Sequence, residues 1–99
     1  VTENGLGGHD KPDETGAVID NERVAYLRAY IGAMNDAATA GADIRGYFVW
    51  SLLDNFEWES GYSVRFGITY VDYPTQRRIP KASFHWYRDL IKAARAARP

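Results

Sequence analysis

The sequence predicts an α/β fold, and three observations support this prediction. Residues 20–41 carry a helical pattern of apolar positions, and a second helical pattern follows Pro80. Between them, residues 46–53 form a nearly continuous apolar and aromatic run, which is typical of a strand buried on both faces of a parallel sheet. A helix, a short turn and a buried strand together make half of a repeating α/β unit.

The first predicted element is a long irregular loop over residues 4–20. It contains the turn-forming pairs and triplets NG, GG, KPD and TG, with almost no apolar periodicity. A solvated connector is one interpretation. Loops longer than about 12–15 residues are uncommon in compact domains and are often functional, which is the other interpretation.

A helix is predicted to begin after Asp20, which can cap its first turn, and to stop at Gly41. Glu22 lies in the first turn, where the helix dipole favours a carboxylate. The apolar positions recur at steps of three and four residues and form one stripe, made of Val24, Leu27, Ile31, Met34 and Ala38.

Residues 54–64 are predicted to form a second loop, rich in acidic and aromatic side chains, and residues 66–71 a short strand. Arg77 and Arg78 are interpreted as an exposed basic pair. The final helix is predicted to take Ser83 as its N-cap. Its apolar stripe is Phe84, Tyr87, Ile91 and Ala94, and its C-terminal half is enriched in cations at Arg88, Lys92, Arg95 and Arg98.

Composition excludes several classes of function. Twelve Lys and Arg against thirteen Asp and Glu leave a net charge of -1, so no nucleic-acid partner is predicted. No apolar run approaches the roughly 20 residues that a membrane-spanning helix needs, so no membrane partner is predicted either. The absence of cysteine excludes disulfides and favours the cytoplasm, although the compartment stays open.

Metal and cofactor binding are not predicted. The acidic and histidine side chains of the first loop show no known ligand spacing, namely His9, Asp10, Asp13 and Glu14. Chemistry-bearing residues are instead concentrated around Glu3 and in residues 50–58, each directly after a predicted strand. In a barrel of parallel strands, the loops after the strand ends build the active site.

Residues 50–58 combine flat aromatic faces, carboxylates and indole N–H groups, and this combination suits a sugar. The alternative from residue types alone is a core tryptophan flanked by solvated acids. For Glu3, the alternative is an ordinary acid in a turn.

The exact motifs favour the first interpretation. Residues 1–5 (VTENG) resemble the nucleophile signature of the family-one glycoside hydrolases, the β-glucosidase family, and residues 47–58 (YFVWSLLDNFEW) resemble its second signature block. Further segments match the family in order and spacing: RFGI at 65–68, VDY at 71–73, QRR at 76–78 and PK at 80–81.

The resemblance implies a role for five residues. Glu3 takes the position of the catalytic nucleophile in a retaining mechanism that hydrolyses terminal non-reducing β-D-glycosyl residues. Trp50 takes the position of the indole that stacks on the sugar, and Glu57 that of the acid that binds two adjacent hydroxyls. Trp58 matches the residue whose indole N–H reaches a ring hydroxyl, and Phe66 lines the same pocket.

The resemblance also implies that residues 1–99 are the C-terminal segment of one (β/α)8 TIM barrel: the end of strand 7, helix 7, strand 8 and helix 8. Such a barrel needs about 250 residues, so this segment is not an independent domain. The family's acid/base lies in an Asn-Glu-Pro motif, whereas the only Asn-Glu pair here, at 21–22, precedes Arg23.

The expected partners are therefore a β-glucoside or a related oligosaccharide and the remaining N-terminal barrel segment. A non-catalytic glycoside-binding protein on a degenerate barrel of the same family is the alternative function. Glu57 carries a further expectation, because a carboxylate there would repel a phosphorylated sugar. The resemblance thus favours unphosphorylated substrates.

Overall fold

The computed structural model describes residues 1–97 and contains two helices and one antiparallel hairpin. The helices are α1 (Asn21–Thr39) and α2 (Ala82–Ala96), the strands are β1 (Thr69–Asp72) and β2 (Arg77–Pro80), and a 3₁₀ turn covers Trp58–Ser60. The α/β class predicted from the sequence is therefore confirmed. Arg98, one of the predicted helix cations, lies outside the described residues.

The two helices pack on one small apolar core. Leu27 and Ile31 of α1 meet Ile68, and partly buried side chains of α2, including Phe84 and Tyr87, pack around them. The apolar stripes predicted for the two helices are thus confirmed at their centres. The last members of the two stripes, Ala38 and Ala94, are exposed because the helix ends extend beyond this core.

The end of α1 agrees with the sequence prediction, whereas the capping of both helices differs from it. Gly41 follows α1 with a φ of 109°, a left-handed conformation that glycine adopts without steric cost. Asp20 is the N-cap residue of α1, but its side chain makes no capping hydrogen bond to the backbone of that helix. The Asp20 carboxylate instead accepts a hydrogen bond of 2.8 Å from the backbone N–H of Ser83.

The prediction of Ser83 as the N-cap of the last helix is therefore wrong. Helix α2 begins at Ala82 with Lys81 as its N-cap residue, and Ser83 lies inside the first turn. The free N–H groups of a first helical turn need acceptors, and here a carboxylate 63 residues away supplies one. A capping rule that considers only neighbours in sequence cannot find such an acceptor.

The apolar run at residues 46–53 does not form the predicted strand. It pairs with its neighbours through isolated parallel bridges, Asn4 with Val49 and Leu53 with Thr69. The expected burial on both faces is also wrong, since Phe48 is 67% and Leu52 is 59% exposed. Among residues 1–97, α1 and α2 cover one face of this run, and a strand is buried on both faces only when a second layer covers the other.

The short strand predicted at residues 66–71 is observed at Thr69–Asp72, as β1 of a hairpin. Its partner β2 was not predicted. Arg77 and Arg78 are exposed as expected, but they belong to β2 and pair with Asp72 and Val71.

The loop of residues 4–20 is anchored at several points, so the solvated-connector interpretation is wrong for much of it. Gly8 and Arg65 exchange two backbone hydrogen bonds of 2.9 and 2.8 Å. Val18 is only 3% exposed, and its carbonyl accepts a hydrogen bond from Ala82 at the start of α2. The longest exposed stretch of this loop is residues 11–16.

Candidate active site

Glu3 and Trp50 lie on two backbone segments that are hydrogen-bonded side by side. The N–H of Asn4 donates to the carbonyl of Phe48 at 3.1 Å, and the N–H of Trp50 donates to the carbonyl of Asn4 at 2.8 Å. Glu3 itself is exposed. The two segments singled out in the sequence therefore meet, and Glu3 directly precedes Asn4, the residue that is paired.

The side chain of Asn4 fixes this arrangement from the core side. Its amide nitrogen donates to the hydroxyl of Tyr26 at 3.1 Å, and its amide oxygen accepts from the hydroxyl of Tyr47 at 2.7 Å. Burial raises the pKa of Tyr47 to about 12, with further contributions from the neighbouring Tyr87 and Tyr26. Tyr47 is therefore a neutral donor to Asn4 over the whole physiological pH range.

Gly5 permits the close approach of these two segments. A Cβ atom at this position would overlap the backbone carbonyl oxygen of Trp50. Because the obstacle is backbone, a side chain at residue 5 would have to push the segment of Glu3 away from that of Trp50. Glycine is thus required here for packing.

Trp50 and Glu57 contact each other directly. The indole N–H of Trp50 donates to Oε1 of Glu57 at 3.1 Å, and the Trp50 side chain remains partly exposed. The peptide bond between Trp50 and Ser51 is cis. The hydrogen bond holds the carboxylate of Glu57 at the N–H edge of an accessible indole, which is a pairing that a sugar ring with adjacent hydroxyls can use.

Trp58 is 84% exposed and begins the 3₁₀ turn. Its φ of 42° lies in the left-handed region, which non-glycine residues rarely adopt and which is often retained at functional positions. It follows Glu57 in the chain but makes no side-chain hydrogen bond within the described residues. Of the three predicted aromatic site residues, it is the most exposed.

Phe66 is half-buried beside the same segments. Its carbonyl accepts a hydrogen bond of 3.0 Å from the N–H of Ser51, the residue after Trp50. Its ring lies close to Gly7, where a Cβ atom would be 2.7 Å from two ring carbons. Phe66 is thus connected both to the loop that follows Glu3 and to the loop that follows Trp50.

A buried network of charges lies behind these residues, and the sequence analysis missed it. Lys81 is fully buried, and its Nζ lies 2.6 Å from Asp10 and 2.8 Å from Asp54. Arg65 pairs with Asp54 at 2.8 Å, and Arg23 pairs with Asp10 at 2.8 Å. Arg23 also pairs with Asp20, so three carboxylates face three cations.

Burial of Asp10 opposes its ionisation, but hydrogen bonds from Lys81 and Arg23 outweigh this effect and lower the pKa of the carboxyl group below its usual value. Asp10 is therefore ionised at neutral pH. The sequence signal for the network is weak, because Lys81 lies 71 residues from Asp10 and 27 from Asp54. No local periodicity or spacing connects residues so far apart.

Within residues 1–97, no three histidine or acidic side chains are grouped as a metal ion would require. None of the helices in that range is both long and apolar enough to cross a lipid bilayer.

Comparison with known proteins decides the family. The sequence model of glycosyl hydrolase family 1 matches residues 1–96. The chain belongs to glycosyl hydrolase family 1. It is 54% identical over 92 residues to beta-glucosidase A of Thermotoga maritima, covering 93% of this chain and 21% of that protein.

It is also 54% identical over 95 residues to a bifunctional beta-D-glucosidase/beta-D-fucosidase of Bifidobacterium breve, covering 92% of this chain and 21% of that protein. A solved structure of the Thermotoga maritima beta-glucosidase in complex with deoxynojirimycin is similar with a TM-score of 0.91 and 54% identity. It covers 93% of this chain and 21% of that one. The chain thus spans about a fifth of the length of these relatives.

Proposed function

We propose that this family 1 chain carries the nucleophile and one wall of the sugar pocket of a retaining β-glycosidase. The observation that carries the proposal is the pairing of the Glu3 and Trp50 segments, together with the hydrogen bond from Trp50 to Glu57. The substrates are terminal non-reducing β-D-glycosyl residues, and the similarity to β-glucosidases supports this choice.

In the proposed reaction, a carboxylate oxygen of Glu3 attacks the anomeric carbon of the sugar. The bond from that carbon to the leaving oxygen breaks with its electron pair, and a general acid protonates the oxygen. Water, deprotonated by the same acid/base, then attacks the anomeric carbon of the glycosyl-enzyme ester and releases Glu3. In retaining enzymes the two carboxyl groups are about 5–5.5 Å apart.

We infer that the acid/base comes from an earlier part of the complete protein. The described residues would be the end of strand 7, helix 7, strand 8 and helix 8 of a (β/α)8 barrel. The exposed face of residues 46–53 supports this arrangement, because barrel strands direct alternate side chains to the interior, where other strands cover them. The family match and the 21% coverage of the relatives support it too.

The pocket wall would recognise the sugar through complementary groups. Trp50 offers a flat face for the sugar ring, and Glu57, oriented by the Trp50 indole, accepts hydrogen bonds from adjacent hydroxyls. The Trp58 indole supplies a donor, and Phe66 closes the apolar side. A phosphate dianion close to the carboxylate of Glu57 would be repelled, so the proposed substrates are unphosphorylated.

The test uses the complete protein that carries this segment and an aryl β-glucoside as substrate. Glu3→Gln should lower kcat/KM by roughly 10³-fold or more and prevent covalent labelling by a 2-deoxy-2-fluoroglucoside. Glu14→Gln, which changes an exposed acid in the loop that follows Glu3, is the matched control and should react like the wild type. Labelling that persists in Glu3→Gln would refute the nucleophile assignment.

The same experiment addresses the alternative function. A degenerate barrel would bind an aryl β-thioglucoside without hydrolysing the oxygen glucoside, and Glu3→Gln would then change neither rate nor labelling. Hydrolysis by the wild type with retention of the β configuration supports the enzyme.

A further inference from the structure

Asp54 lies in the loop between Trp50 and Glu57, and its side chain is completely buried. Each of its carboxylate oxygens accepts two hydrogen bonds. The donors are Lys81 Nζ at 2.8 Å and the Gly67 N–H at 3.0 Å on Oδ1, and Arg65 at 2.8 Å and the Val71 N–H at 3.3 Å on Oδ2. A carboxylate held by four donors has a single position available to it.

Two of those donors flank Phe66. Arg65 precedes it and Gly67 follows it, so Asp54 holds the backbone after the aromatic residue through the Gly67 N–H and the residue before it through the Arg65 guanidinium. A Cβ atom on Gly67 would overlap the backbone N of Asp54, which shows that the two loops are in backbone contact. A displacement of the Asp54 carboxylate would therefore move Phe66 relative to Trp50 and Glu57.

The same carboxylate is connected to the loop that follows Glu3. Lys81 bridges Asp54 to Asp10, with Nζ distances of 2.8 and 2.6 Å. Arg65, the other cationic partner of Asp54, exchanges two backbone hydrogen bonds with Gly8. The spacing between the nucleophile loop and the aromatic wall thus depends on one buried ionic centre.

We propose that Asp54 is a positioning residue for the sugar pocket, acting through Arg65 and the Gly67 amide to hold Phe66 against the loop of Trp50 and Glu57. This inference rests on the proposed function of the pocket. Asp54 itself does not touch the sugar, because all four of its hydrogen bonds are made within the protein.

The test is Asp54→Asn in the complete protein. Asparagine keeps the shape but replaces one acceptor oxygen with a donor and removes the charge that Lys81 and Arg65 face. The readouts are kcat and KM for an aryl β-glucoside, normalised to active sites counted with the fluoroglucoside, and the Kd of an aryl β-thioglucoside by calorimetry. Because the lost contacts bind ground state and transition state alike, KM and Kd should rise about tenfold while kcat changes less than about threefold.

Asp20→Asn is the matched control. Asp20 is also buried and paired with Arg23, but it contacts the start of α2 and reaches residue 65 only indirectly, through the Arg23 guanidinium that donates to the Arg65 carbonyl at 2.8 Å. It should lower the thermal midpoint while Kd and KM change less than about twofold, because the Arg23 contact with residue 65 does not depend on the Asp20 charge alone. A wild-type Kd in Asp54→Asn, or an equal rise of Kd in Asp20→Asn, would overturn the inference.

A second variant keeps the inference testable if Asp54→Asn does not fold. Arg65→Lys preserves a cation beside Asp54 but shortens its reach to the carboxylate and to the carbonyl of Val71. The Kd should rise about threefold in this variant, since part of the contact persists. A wild-type Kd here would contradict the positioning role.

Failure of the proposed function gives a different result. A wild type that binds the thioglucoside without hydrolysis refutes the hydrolase, while the Kd comparison still decides the role of Asp54. A wild type that neither binds nor hydrolyses overturns both.

Discussion

The loop of residues 4–20 and the apolar segment of residues 46–53 both show a burial that is the opposite of what their compositions predict. The loop is polar and rich in glycine, yet it buries the carboxylates of Asp10 and Asp20 against cations. The segment is almost entirely apolar, yet Phe48 and Leu52 are largely exposed. The difference teaches that burial follows the available partners, and among residues 1–97 the loop has its partners while the outer face of the segment does not.

The two regions therefore depend on different parts of the protein. The loop is held by ion pairs contained in this chain, so single substitutions in these pairs should lower the free energy of unfolding strongly. The outer face of the apolar segment would be covered by the rest of the proposed barrel, where side chains of other strands fill the interior. The inner face is attached here through the core and a few polar contacts, such as that of Tyr47 with Asn4.

The largest effect is expected from Lys81→Met in the complete protein. The substitution keeps the length of the side chain but leaves the carboxylates of Asp10 and Asp54 without their shared cation. Removing one partner from a buried ionic network typically costs about 3–5 kcal/mol of unfolding free energy. Urea unfolding followed by far-UV circular dichroism measures the loss.

Arg45→Met is the control for that experiment. Arg45 pairs with Asp43 at 3.0 Å, but both side chains are highly exposed, and such pairs contribute about 0–1 kcal/mol. If the two variants lost equal stability, the loop would not be held by its buried charges, and the contrast between the regions would fail.

These ion pairs also mark the limit of what the sequence could predict. Both helices follow from apolar positions at steps of three and four residues, because helical periodicity is a local property. The site residues came from the resemblance of three segments, 1–5, 47–58 and 65–68, to a family; residue types alone left Glu3 as an ordinary acid. The pairing of Asp54 with Lys81 was out of reach, since the fold brings together residues 27 positions apart.

The strand prediction failed for a related reason. An apolar run predicts burial, but it does not say which element provides the cover. Within the described chain, the run at residues 46–53 is covered on one face only. Strand β2 forms because it pairs with β1, and its exposed arginines do not by themselves indicate a strand. Long-range pairing, as opposed to local preference, determined both outcomes.

An intermediate effect is expected from Gly5→Ala, which addresses the junction of the two regions. The new Cβ would overlap the carbonyl oxygen of Trp50, and because backbone cannot rotate away, the Glu3 and Trp50 segments must separate. Overpacking of this kind costs about 1–3 kcal/mol. A misplacement of about 1 Å at a nucleophile can lower kcat/KM by roughly 100-fold.

Gly32→Ala is the matched control, since a Cβ on Gly32 meets nothing within 4 Å and the residue lies inside α1. Alanine should stabilise the helix by about 0.5–1 kcal/mol and leave kcat/KM unchanged. Thermal unfolding and aryl β-glucoside kinetics on both variants give the comparison. Equal behaviour of the two would show that the close approach at Gly5 is not needed.

The smallest effect is expected from Tyr47→Phe, which removes a polar contact of the apolar segment with the residue after Glu3. Loss of the hydrogen bond to Asn4 should lower the free energy of unfolding by about 0.5–1.5 kcal/mol at pH 7. The control Tyr30→Phe, at a half-exposed ring of α1, should lower it by less than about 0.5 kcal/mol.

The pKa of Tyr47 is raised to about 12 in the folded protein, so above pH 10 the unfolded chain releases this proton first. The contribution of Tyr47 is therefore complete below pH 10 and is lost as the pH rises towards 12. Unfolding free energies measured from pH 8 to 11.5 should fall less steeply in Tyr47→Phe than in the wild type, and parallel curves would show that the segment does not rely on this hydroxyl.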